Sequence, residues 1–126
     1  MRIFKTKVFD RWASKVGITD TALLSVVANM ERGLVDADLG GNLFKQRIAL
    51  PGRGKSGSTR TFLATRFVGT LYFLFGFEKS DRDNITQRER VIYQSLACHL
   101  LELSYEQIEL ALMANELMEV KHESND

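Results

Sequence analysis

Six basic residues with no acid among them form the chemistry-bearing part of this 126-residue chain. Between Asp38 and Glu78 stand Lys45, Arg47, Arg53, Lys55, Arg60 and Arg66, and no Asp or Glu. The chain holds 17 Lys and Arg against 16 Asp and Glu, which leaves 11 basic and 16 acidic residues elsewhere. A middle of charge +6 is thus embedded in a remainder of −5, although the net charge is only +1. Such a field is how a small protein presents a docking surface to phosphates; a solvated basic face without function is the plain alternative. Lys45 and Arg47, two apart in a strand-like segment, share a face, and Arg60 follows across a loop bearing Arg53 and Lys55. This array can grip a phosphodiester and stabilise the charge of a pentavalent phosphate. Arginine suits that task because its planar fork binds two oxygens and keeps its proton at neutral pH. A lysine whose pKa is depressed among like charges can stand in for histidine as general acid or base. Aromatics such as Phe44, Phe62, Tyr72 and Phe77 could stack on a base, though an aromatic in a strand more often faces the core.

Other chemistries find little support. Gly54-Lys55-Ser56 resembles the end of a phosphate loop, but the first glycine of that motif would fall on Ala49, and the following segment reads as strand where the motif needs a helix. His99 and His122 lack Cys, Asp or Glu at ligand spacing, so no metal site is expected. Cys98, the one cysteine, excludes an internal disulfide and reads as a small core residue of an apolar helix. No nucleophile motif or paired catalytic carboxylates are visible. The N-terminus lacks the apolar run of a signal peptide, and no window approaches a membrane span, so a cytoplasmic protein without a membrane partner is expected.

The elements that must carry the array can be read from periodicity. Arg2 to Lys5 has strand character, and Thr6 to Lys15 sets Phe9, Trp12, Ala13 and Val16 at helical spacing. Gly17 ends that helix, Thr19, Asp20 or Thr21 can cap the next, and the second helix stops at Gly33, giving a helical hairpin. Leu34–Leu39, Leu43–Leu50, Thr59–Phe67 and Thr70–Phe77 read as four strands of an antiparallel meander, with a turn at Gly40-Gly41-Asn42 and another at Val68-Gly69. Thr86 to Glu89 and Ser104 to Gln107 fit capping boxes that open two further helices, the second acidic and running to about Val120. The fold class expected is α+β in one domain over residues 1–126, with residues 104–126 an acidic C-terminal helical extension.

Three stretches in this order carry a resemblance: Leu39 to Ile48 (LGGNLFKQRI), Gly52 to Arg60 (GRGKSGSTR), and Leu71 to Lys79 (LYFLFGFEK), followed by Asp81-Arg82-Asp83-Asn84-Ile85 and a helix. Together they resemble the HigB-like branch of the RelE/ParE toxin superfamily, from the first strand to about Leu101. The resemblance implies an N-terminal helical hairpin packed on a small antiparallel sheet, and a toxin of a type II toxin–antitoxin pair. It implies metal-independent, cofactor-free cleavage of mRNA on the ribosome, by attack of the ribose 2′-OH on the adjacent phosphate. Arg60 would stabilise the phosphate; Lys45, Arg47 and Lys55 would position RNA or transfer protons. Arg53, Arg66, Lys79 and Phe77 would be further RNA contacts, Phe77 standing where related toxins place a tyrosine. The partner implied is an antitoxin, of helix-turn-helix type. A ParE-like toxin that inhibits gyrase without cleaving anything is the rival, and a non-catalytic regulator the third reading.

Overall fold

Hydroxyl side chains open every helix, and this local punctuation sets where the elements begin. Thr6 accepts a hydrogen bond from the Phe9 N–H and starts α1 (Lys7–Val16); Thr19 accepts from Ala22 and starts α2 (Asp20–Glu31). Thr86 with Glu89 and Ser104 with Gln107 form reciprocal capping boxes ahead of α3 (Gln87–Leu101) and α4 (Tyr105–Met113). Gly17 closes α1 in the left-handed region at φ 88°, where a side chain would be strained. The computed structural model describes residues 1–50, 52 and 57–122.

The strands are β1 (Arg2–Thr6), β2 (Ala37–Asp38), β3 (Leu43–Ala49), β4 (Ser58–Thr65), β5 (Thr70–Glu78) and β6 (Leu117–Val120), in the spatial order β2-β3-β4-β5-β1-β6. The expected meander holds for β2 through β5, all antiparallel, although β2 shrinks to two residues. The sheet as a whole is mixed, because β1 pairs parallel to β5, Ile3 opposite Leu71. A parallel pair needs a crossover, and α1 and α2 begin it on one face of the sheet.

The C-terminal segment corrects the sequence reading. The acidic helix stops at Met113 rather than near Val120, Asn115 turns the chain at φ 58°, and β6 pairs antiparallel with β1, Ile3 opposite Val120. Leu117 and Val120, three apart, fit a helical stripe by counting. In the strand they point to opposite faces, each into a different core. Arg2 holds this edge together through Glu119, at 2.9 and 3.0 Å, and Glu109 at 3.1 Å. The acidic segment therefore lies at the edge of the sheet opposite β2 and β3.

Two cores flank the sheet. On one face Phe9, Ala13, Leu23, Val27 and Met30 of the hairpin meet Phe44, Leu63, Leu71 and Phe73. On the other, Ala97, Leu100 and Ile108 of α3 and α4 meet Phe4, Leu43, Phe62, Ala64 and Tyr72. Each fully buried residue of this size contributes roughly 1.5–3 kcal/mol through burial. A bulge interrupts β4 and β5: Leu63 opposes Phe73 but Phe62 opposes Phe75, so Leu74 is extra. The bulge reverses the alternation beyond it. Gly76 consequently faces α1, where a Cβ would come within 2.3 Å of the Trp12 ring, and Phe77 turns to the α3 face beside Arg60. Between α3 and α4 lies an apolar groove of about 600 Å³, lined among others by Leu96, Leu103, Leu110 and Ala111. Cys98 is exposed, not a core residue, because the buried stripe of α3 runs through Ala97 and Leu100; His99 lies exposed at the groove rim.

Candidate nucleic-acid interface

The α3 face of the sheet is only half covered. Arg90 and Gln94 pin α3 to the carbonyl of Leu39, Arg90 at 2.6 and 3.0 Å and Gln94 at 2.9 Å, so the helix lies over the middle of the sheet. Beyond it, towards the β3–β4 loop, the face opens into a polar pocket of about 240 Å³. Lys45, Arg47 and Arg60 line this pocket with Asp36, Ala37, Asp83 and Asn84.

Register explains the convergence of the three cations. Arg47 stands directly opposite Arg60 across β3 and β4, and Lys45 opposes Phe62, one diagonal step from Arg60. Directly opposed Cβ atoms lie about 4.5–5.5 Å apart, and like charges so placed destabilise by roughly 0.2–1 kcal/mol. Among the described residues none of the three enters an ion pair. The one side-chain hydrogen bond among them, Arg60 Nη1 to the Thr59 carbonyl at 3.5 Å, is long and weak. Two arginines without an ion-pair partner among the described residues thus face each other at the pocket, and an anion between them would relieve their repulsion.

Two carboxylates share the pocket, and one is already engaged. Asp36 Oδ2 accepts the Arg47 backbone N–H at 2.6 Å, while the buried Gln46 takes the Asp36 N–H at 2.6 Å and donates to the Leu34 carbonyl. This clamp satisfies the outer edge of β3 where β2 has ended, and it fixes the wall beside Arg47. Asp83 and Asn84 come from the connector between β5 and α3. Arg82 fastens that connector: it lies over the Phe77 ring at 4.8 Å, pairs with both oxygens of Glu89, and donates to the Asn84 carbonyl at 3.0 and 3.3 Å. The Arg82 guanidinium, with the Thr86 N–H, holds the Glu89 carboxyl down at about 2, so it stays ionised well into acid.

The other expected contacts separate from this cluster. Arg53 and Lys55 lie outside the described residues. Arg66 stands beyond the far end of β4, about 20 Å along the strand from Arg60 at roughly 3.3 Å per residue. Its guanidinium donates to the Leu101 carbonyl at 3.2 Å, so it does not join the pocket. Lys79 is exposed just past β5, at the Arg60 end of the sheet, without lining the pocket. Phe77 opposes Arg60 but is 6% exposed, packed against Phe62 and Phe75 and roofed by Arg82, so its ring is not open to a base. Phe44, Phe62 and Tyr72 are buried as well. Asp36, Arg82, Asp83 and Asn84 carried no site role in the sequence, although the run from Asp81 to Ile85 stood out.

No helix among the described residues is long and apolar enough to cross a membrane. No group of three or more His, Cys, Asp or Glu among them could hold a metal ion. A search of curated proteins finds no match. A comparison with protein-family models matches residues 1–120, nearly the whole described chain, to the RelE toxin of the RelE/RelB toxin–antitoxin system. The α+β architecture and the ordered basic stretches agree with that match, and the chain belongs to the RelE toxin family.

Proposed function

We propose that this toxin is a ribosome-dependent mRNA endonuclease of the HigB-like branch, acting in the cytoplasm and neutralised by a cognate helix-turn-helix antitoxin. The observation that carries the reading is the convergence of Lys45, Arg47 and Arg60 on one open pocket without ion-pair partners among the described residues. The toxin family of the chain supports it. In the proposed reaction the ribose 2′-OH loses its proton to a base and attacks the adjacent phosphorus. The P–O5′ bond breaks, the 5′-oxygen takes a proton, and a 2′,3′-cyclic phosphate remains. The nucleophile belongs to the substrate, so the protein's task is positioning and charge stabilisation. Arg60, at the centre of the cationic row, binds the non-bridging oxygens as negative charge grows. Arg47 opposite and Lys45 on the diagonal orient the strand and share in proton transfer with Lys55; Arg53 and Lys79 extend the contact to flanking phosphates.

The gyrase-inhibiting reading has no need of a cluster of cations that grips phosphate. Primer-extension mapping of cellular mRNA after brief induction, with the wild type and with Arg60→Ala, separates the two. Codon-phased cuts that vanish in the variant are the expected result. Growth arrest with intact mRNA, unaffected by the variant, would move the target to gyrase.

A further inference from the structure

Arg82 lies beside the pocket in an unusual state. Of its five N–H groups, four are engaged: Nε and Nη2 with the Asn84 carbonyl, Nη2 and Nη1 with the two Glu89 oxygens. Its charge is balanced by Glu89, and no fork is left for a phosphate. The guanidinium carbon sits over the Phe77 ring, 4.8 Å from its centroid, while the side chain remains 35% exposed. What this arginine still offers is a flat, rigid, cationic plane. Its two chain neighbours in the connector, Asp83 and Asn84, line the pocket, and the Phe77 beneath it stands directly opposite Arg60.

The geometry points to Arg82 as the platform on which a nucleobase next to the scissile phosphate stacks, in a Phe77–Arg82–base pile. This inference rests on the endonuclease reading and deepens it by supplying the stacking surface that the buried aromatics do not. Guanidinium planes stack on bases as aromatic rings do, and a plane fixed in advance loses little freedom on binding. Glu89 acts through Arg82 as a positioning residue, holding the guanidinium over the ring below. With Arg60 gripping the phosphate and Arg82 receiving the base, the nucleotide is held at two points, and the 2′-OH is directed along the line of attack.

The test is single-turnover cleavage by ribosomes programmed with a defined mRNA, in which the base on either side of the scissile linkage is replaced in turn by an abasic nucleotide. At one of the two positions the wild type slows by about 5- to 150-fold, the range expected for one stacked base. Arg82→Lys, which keeps the charge but loses the plane, slows on intact mRNA by a similar factor and no longer responds to the abasic substitution. Glu89→Gln, which leaves the Arg82 guanidinium in place of an ammonium and keeps one side-chain acceptor for it, retains the response. A merely structural clamp would instead make both variants slower on every substrate with the abasic ratio unchanged, and that result overturns the stacking role. Wild-type cleavage indifferent to both abasic positions overturns it too, while leaving the endonuclease reading standing. No cleavage of any mRNA by the wild type overturns the endonuclease reading and this inference with it.

Discussion

The two ends of β4 lie on the same sheet and meet opposite fates. From Phe62 to Thr65 every residue is buried, under Ala97 and Leu100 of α3 on one side and the hairpin on the other. At the other end Arg60 is half-buried and opens into the polar pocket, beside β3, the start of β2 and the connector before α3. The difference comes from where α3 is pinned. Its ties to the Leu39 carbonyl leave the Arg60 end uncovered, so the strand carries apolar packing at one end and a cation facing a polar pocket at the other. Stability and recognition are thereby divided along one strand, and a substitution is expected to disturb one without the other.

The sharpest way to break that division is at Phe62 and Arg60, two residues apart on one face. Phe62→Ala should cost about 3–5 kcal/mol in urea melts, by removing a fully buried ring. Arg60→Ala should leave the melt unchanged or slightly raised, since it relieves the repulsion with Arg47. Its mRNA cleavage should nonetheless fall about 100- to 1,000-fold, the usual loss for one charge-stabilising donor. A large stability loss in Arg60→Ala would show that the open end is part of the core after all.

Gly76 sharpens the comparison from the opposite face. A methyl group there would press into Trp12, with ring atoms at 2.3 to 2.8 Å, so Gly76→Ala should lose about 1–3 kcal/mol unless the indole moves aside. Trp12 fluorescence would report that movement directly. If the glycine also sets the bulge that turns Phe77 towards Arg60, cleavage should fall beyond what instability explains.

The smallest expected effect tests the connector through pH. The carboxyl of Glu89, held at about 2 against an ordinary 4.5, contributes stability that is present above about pH 4.5 and lost as pH falls through 2. Thermal melts of the wild type and Glu89→Gln should therefore differ at neutral pH and converge between pH 4.5 and 2. A constant difference across that range would mean that Glu89 is not the group titrating there.

Much of the fold was legible in the chain because its signals are local. Thr86 with Glu89 and Ser104 with Gln107 announce helix starts through hydrogen bonds within one turn, and Gly17 announces a stop. Alternation likewise placed Lys45 and Arg47 on one face. Misreadings arose where two periods give the same count. Leu117 and Val120 are three apart, which suits a helix, but pairing with β1 made them a strand. Cys98 missed the buried stripe by one position, about 100° around the helix.

By itself the sequence determined the unbroken +6 stretch, the turns that fold it into neighbouring strands, and the match to the RelE toxin family over residues 1–120. These depend on residue type and short spacing alone. Only the tertiary structure decided which cations meet. Arg66 belongs to the same basic run but stands at the wrong end of β4, while Asp36, Asp83 and Asn84 join the pocket from segments 24 and 23 or more residues distant from Arg60. The β3–β4 register and the anchoring of α3 at Leu39 govern that outcome. Strand register and helix docking are settled by contacts between distant parts of the chain and leave no mark in local spacing.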